Sequence, residues 1–148
     1  MTDPIFEDSS TELSARRTGM SFQRTRMSAD RTLMSVIRTS LSLISFGFTI
    51  YQFFEKLKQS AVIEHGGAGR NFGVALVAVG ITMLVLGILY HIQFMLGLRA
   101  ERNEMGRAGL IHGESKFPPS LTLVTAVVLL IIGIAAITSM VFRVGPFN

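Results

Sequence analysis

The chain has 148 residues, of which 49% are hydrophobic and 16% are charged, and its mean hydropathy is +0.46. The charged fraction lies well below the roughly 25% of an average soluble domain. The formal net charge is +4, and the chain contains no cysteine, which excludes disulfides and thiolate metal sites. These values exclude an ordinary soluble domain and indicate an integral membrane protein.

The first fifteen residues are acidic and polar. They include Asp3, Glu7, Asp8 and Glu12 and no basic residue, whereas a secretory signal has a basic start and an apolar run. We predict a disordered acidic tail over residues 1–15 and a three-helix transmembrane domain over residues 16–148.

An Arg-Thr repeat follows, in which the arginines are seven residues apart at Arg17, Arg24, Arg31 and Arg38. Seven residues are close to two helical turns, so equivalent positions drift by only ~20° per repeat. At about 100° per residue, the serines lie near 40° from the arginines, the threonines near 100° and the methionines near −60°. We predict one long helix that crosses the membrane over about 33–54 and extends on the cytoplasmic side.

Arg38 lies inside this predicted span. The uncharged run 39–54 is only about 24 Å long as a helix, which is shorter than the ~30 Å hydrocarbon core. Arg38 is therefore expected either to lie in the hydrocarbon or to reach the surface by snorkelling. A polar stripe at this depth should face another helix or water. Its candidate members are Arg24, Arg31, Ser35, Arg38 and Ser42.

The stripe has three possible roles. The arginines can be interfacial anchors, with the hydroxyls as helix-packing groups. Alternatively, several copies of the helix surround an axis, and stacked arginine rings line a path for anions. The third role is an interaction face for another membrane protein. Asp30 is expected to pair with Arg26 one turn earlier, or else to hold Arg31 or close the path between subunits.

Two further spans are predicted at about 72–98 and 120–142, since each lies in an uncharged stretch longer than ~20 residues. In the second span Gly73, Gly80 and Gly87 are seven residues apart, which favours close helix packing in lipid. Nine Lys and Arg residues lie before the first span and in the second loop, against four in the first loop and the tail. The positive-inside rule then predicts a cytoplasmic N-terminus and a periplasmic or extracellular C-terminus.

Other kinds of site receive little support. His65, His91 and His112 are predicted in three different regions, so no metal site is expected. No serine lies in a nucleophile motif, and the charged stretch 99–107 mixes both signs. We therefore expect no catalytic residue, no cofactor, no nucleic-acid binding and no enzyme activity.

Residues 29–39 resemble the pattern of the YidH-like family, a domain of unknown function in small three-helix inner-membrane proteins of bacteria. The positions that match the pattern are Arg31, Thr32, Ile37, Arg38 and Thr39. Asp30 stands for the usual Glu, Ser35 for the usual Ala and Val36 for the usual Trp. The same module is similar to the membrane part of the eukaryotic vacuolar transporter chaperone, in which basic residues of the first helix line a polyphosphate path. The resemblance implies this role for Arg31 and Arg38, and less closely for Arg24.

Two functional hypotheses follow. The first is a homo-oligomeric protein of the bacterial inner membrane whose first helices bind or conduct phosphate-like anions. The second is a non-transporting scaffold subunit that docks a partner protein or anionic lipid through the Arg/Ser stripe and the glycine face. Both make the membrane lipids a partner of the chain.

Overall fold

The structure, a computed structural model, describes residues 4–60, 67–107 and 120–142, which form three helices. Helix α1 covers Pro4–Gln59, α2 covers Gly67–Arg107 and α3 covers Leu121–Phe142. The described ranges contain no strand, and all three helices are long and apolar enough to cross a membrane. The predicted class, an all-α protein with three membrane spans, is confirmed.

Two helices are longer than the predicted spans. Helix α1 has 56 residues and α2 has 41, whereas α3, with 22, nearly coincides with the span predicted at 120–142. At the N-terminus the structure differs from the predicted disordered tail, because residues 4–15 belong to α1. Pro4 begins α1, and proline is tolerated in the first helical turn because its missing N–H would have no helical partner there.

Helices α1 and α2 run antiparallel and approach most closely through glycines. A Cβ atom added to Gly47 would lie 2.7 Å from the carbonyl oxygen of Gly73, and one added to Gly73 would lie 2.6 Å from that of Gly47. At Gly80, an added Cβ would lie 3.0 Å from the carbonyl oxygen of Ser40. Small residues permit this approach, and in lipid it gains van der Waals contacts between helices that bulkier side chains would prevent.

Helix α3 completes the bundle against the α1–α2 pair. Ala126 is fully buried against the cluster that contains Leu33 and Leu84, and Gly133 faces side chains of α1 and α2. The opposite side of α3 is exposed and apolar, with Ile131 62% accessible. Such a surface is what a helix presents to hydrocarbon rather than to water.

Two side-chain hydrogen bonds fix the position of α3 along the axis of α1. At one end Ser120 Oγ donates to Asp30 Oδ1 over 2.7 Å, and at the other Tyr51 Oη donates to the Met140 carbonyl oxygen over 2.8 Å. Helix α3 therefore runs parallel to residues 30–51 of α1. At 1.5 Å per residue its length is about 33 Å, close to the ~30 Å hydrocarbon thickness. The part of α1 before Asp30 extends beyond this layer.

Candidate functional site

The predicted stripe residues share one exposed face of α1. This face, called the arginine face below, consists of Arg24, Arg31, Ser35, Arg38 and Ser42, all of them exposed in the single chain. The buried side of the same helix carries Leu33, Ile37 and Ile44. At about 100° per residue the two sets lie on opposite sides of the helix. The arginine face therefore points away from α2 and α3.

The position of α3 along α1 shows how deep each arginine lies in the apolar layer that α3 spans. Arg31 follows Asp30 directly, so it lies where α3 begins. Arg38 lies about 12 Å farther along the helix than Asp30, at 1.5 Å per residue. Its backbone is therefore about one third of the way through the apolar layer that α3 defines. An arginine facing lipid at the centre of a bilayer costs roughly 2.5–3.5 kcal/mol on insertion scales, so this position favours cover by protein or water.

Most hydroxyls near the arginines donate to their own helix. Thr32 donates to the carbonyl oxygen of Ser28 over 3.1 Å, and Ser42 donates to that of Arg38 over 2.9 Å. The protons of these two hydroxyls are therefore already used, which leaves the guanidiniums and Ser35 as the groups of this face that can donate outward. Ser35, between Arg31 and Arg38, makes no side-chain hydrogen bond within the described part of the chain. It is the serine of the arginine face best placed to donate to an anion.

Asp30 lies on a different side of α1 from the arginine face. It is half-buried, accepts the hydrogen bond from Ser120, and its Oδ1 lies 3.5 Å from Nε2 of His91. His91 is buried at 3% exposure, and 3.5 Å is within ion-pair range but long for a hydrogen bond. Asp30 thus joins all three helices at one end of the bundle.

The link between Asp30 and His91 was not predicted from the sequence. One feature pointed to it: His91 is the only histidine in a run, 71–98, that has no Asp, Glu, Lys or Arg. An ionisable side chain inside a span usually faces the bundle and a polar partner. The described residues contain no group of three or more His, Asp and Glu side chains able to hold a metal ion. His65 and His112 lie outside the described residues.

The glycine face of α2 is occupied within the same chain. Gly73 faces Gly47 and Tyr51, and an added Cβ on Gly80 or Gly87 would lie 2.8 Å from Ile44 Cγ1 or 2.6 Å from Val36 Cγ1. A partner protein cannot use a surface that α1 already covers. The docking hypothesis is therefore left with the arginine face alone.

Three helices able to cross a membrane, the longest with an outward arginine face, define a small multi-pass membrane protein. The family model described as "Domain of unknown function (DUF202)" matches residues 24–97, half of the chain. The chain belongs to this family, the YidH-like family, which is found in membrane proteins. Neither a curated protein nor a solved structure matches the chain. The matched region contains Arg24, Asp30, Arg31, Arg38 and His91, whereas α3 lies outside it.

Proposed function

We propose that the chain is a homo-oligomeric, non-enzymatic protein of the bacterial inner membrane whose arginine faces line a path or binding site for phosphate-like anions. The observation that carries this proposal is Arg38, which is exposed on α1 about 12 Å beyond the level of the first turn of α3. In the proposed orientation the arginine-rich end is cytoplasmic, as the distribution of Lys and Arg favours.

The chemistry of the face suits phosphate. A guanidinium presents a fork of N–H groups that matches phosphate oxygens, and it stays charged at any physiological pH. Arg24, Arg31 and Arg38 follow one another at intervals of about 10.5 Å. If several copies place these side chains around one axis, each level forms a cationic ring that lowers the barrier for an anion in low dielectric.

The shape of the single chain supports the proposal of several copies. Helices α2 and α3 cover only the side of α1 opposite the arginine face, so a monomer would expose Arg38 to lipid. Arranging copies with their arginine faces inward replaces lipid by water and protein on that side, which removes most of the cost.

A second candidate uses the same face differently. Arg24 and Arg31 lie outside and at the edge of the apolar layer, where basic side chains attract anionic lipid headgroups at about 1 kcal/mol each. A scaffold subunit that docks anionic lipid or a partner protein would need these two arginines and would not need Arg38.

The test is anion flux in liposomes that contain the purified protein, with phosphate and short polyphosphate inside. We expect Arg38→Ala to reduce flux roughly tenfold or more, equivalent to about 1.4 kcal/mol of barrier, and Arg38→Lys to retain part of it. Arg17→Ala is the matched control, since Arg17 shares the repeat but lies about 20 Å beyond Asp30, outside the layer.

Two outcomes reject the anion path. One is equal flux in wild type, Arg31→Ala and Arg38→Ala at unchanged oligomeric state. The other is a loss of flux in Arg17→Ala as large as in Arg38→Ala. Normal flux combined with weaker binding of Arg24→Ala and Arg31→Ala to anionic vesicles would instead support the scaffold.

A further inference from the structure

A second exposed stripe on α1 is apolar. It consists of five large side chains seven residues apart, each between 44% and 57% exposed. We call it the methionine flank, and its members are Leu13, Met20, Met27, Met34 and Leu41. It adjoins the arginine face on one side of the helix, near −60° from the arginines at about 100° per residue.

Lipid does not explain the methionine flank. Met20 lies about 15 Å and Leu13 about 25 Å beyond Asp30, and therefore outside the layer that α3 defines. Apolar side chains scattered over a wet surface are ordinary, but here they recur at one fixed interval. Contact with hydrocarbon does not require apolar residues at any fixed spacing, whereas contact between two supercoiled helices requires them every seven residues. The flank therefore has the pattern of a helix–helix contact.

The other side of the arginine face carries a complementary surface with the same interval. We call it the threonine flank, formed by Thr25, Thr32 and Thr39, which are all exposed. Each hydroxyl donates to the carbonyl four residues earlier, over 2.9 to 3.1 Å. The donors are thus satisfied within the helix, and the flank offers small side chains for a close, dry contact.

The two flanks are placed symmetrically about the arginine face. If its centre is taken midway between the arginines and the serines, each flank lies about 80° away, one on either side. A helix in a ring touches one neighbour on each flank while its remaining faces point to the axis and outward. In α1 the outward face is the one that α2 and α3 cover.

We propose that the methionine flank of one copy packs against the threonine flank of the next, head to tail, in a closed ring with the arginine faces inward. A repeated contact between two different surfaces closes into a ring when the rotation between copies allows it. Methionine is flexible enough to fill the spaces between small side chains. The inference rests on the proposed function, because phosphate-like anions on the axis would offset the repulsion between the arginines of neighbouring copies.

The test uses disulfide cross-linking in native membranes, and the chain contains no cysteine that would interfere. The double variant Met27→Cys/Thr25→Cys places one thiol on each flank, on nearly opposite sides of the helix, so the two cannot pair within one chain. We expect oxidation to give a ladder of dimers, trimers and larger species that ends at the subunit number. Each single-cysteine variant is a matched control and should stay monomeric.

The possible results either overturn the ring contact or distinguish its failure from that of the proposed function. Met27→Cys alone giving the dimer as its main product would show a two-fold contact between methionine flanks. The absence of a ladder in the double variant would show that the flanks do not meet. If the double variant gives a ladder in native membranes but the purified protein gives no anion flux in liposomes, the ring contact is supported and the proposed function is rejected. Flux that depends on Arg38, without a ladder, would keep the function and reject this contact.

Discussion

Asp30 shows how one carboxylate can hold a membrane bundle together. In the sequence it lies four residues after Arg26 and beside Arg31, which predicts either an ion pair along α1 or a role in the arginine stripe. In the structure its Oδ1 accepts the hydrogen bond of Ser120 and lies near the buried ring of His91. Since Ser120 directly precedes α3, this hydrogen bond fixes where α3 begins relative to α1.

Asp30→Ala should destabilise the protein. The change removes the acceptor of Ser120 and leaves His91 buried without its carboxylate, and an unsatisfied buried polar group costs about 1–3 kcal/mol. Unfolding in mild detergent measures the loss. Asp30→Asn is the matched control because its amide oxygen can still accept from Ser120, so it should lose less. Equal losses in both variants would mean that charge, rather than the hydrogen bond, matters at this position.

Ser40 is a second residue whose environment is unusual. It is fully buried at the α1–α2 contact, and its hydroxyl has no hydrogen-bond partner among the described residues. We expect Ser40→Ala to raise the free energy of unfolding by up to about 1 kcal/mol, since it removes an unpaired polar group and keeps the side chain small. Ser42→Ala, at an exposed position on the same helix, should change it far less. A clear loss of stability in Ser40→Ala would reveal a partner for the hydroxyl.

At the scale of the helix, the contact between α1 and α2 depends on backbone touching backbone. Gly47 and Gly73 face each other so closely that neither can carry a side chain without moving a carbonyl oxygen of the other helix. The seven-residue glycine interval in α2 indicated a packing face. Helix α1 has one other glycine, Gly19, where an added Cβ would meet nothing within 4 Å, so only the contact itself reveals the importance of Gly47.

Gly47→Ala should separate the two helices. Its Cβ would lie 2.7 Å from the Gly73 carbonyl oxygen, and a backbone atom cannot rotate away as a side chain can. Overpacking of this kind costs typically 1–3 kcal/mol, measured by unfolding in detergent. Gly97→Ala is the control, because an added Cβ there meets nothing within 4 Å. It should be neutral, or stabilising by up to about 1 kcal/mol through helix propensity. Equal effects at both sites would contradict the contact.

At the scale of the whole molecule, α1 has two different environments. About two fifths of it, residues 30–51, runs beside α3 within the apolar layer, and the part before Asp30 projects beyond that layer. Arg38 and Ser42 belong to the first part, whereas Leu13, Met20 and Arg24 belong to the second. The seven-residue arginine repeat continues past Asp30, where α1 enters the apolar layer. The arginine face therefore extends from the aqueous region into the interior of that layer.

Much of this organisation was predictable from the sequence. The second and third spans follow from uncharged runs long enough to cross hydrocarbon, and the first follows from an apolar run whose only charge is Arg38. The arginine face follows from a repeat close to two helical turns. Both are local properties of a single helix, so they need no knowledge of the neighbours. The extent of α1 was underestimated, because polar composition alone suggested disorder for residues 4–15, which the structure places in the helix.

The relations between helices came only from the tertiary structure. The Asp30–Ser120 and Tyr51–Met140 hydrogen bonds join residues about 90 positions apart, and the Gly47–Gly73 approach depends on how two antiparallel helices are aligned. Sliding one helix along another would leave every local pattern unchanged and would alter all of these contacts. The amino-acid sequence by itself therefore determined which segments cross the membrane and which side of α1 is charged. The depth of Arg38 and the burial of the glycine face were decided by packing between helices, because only packing sets their relative position.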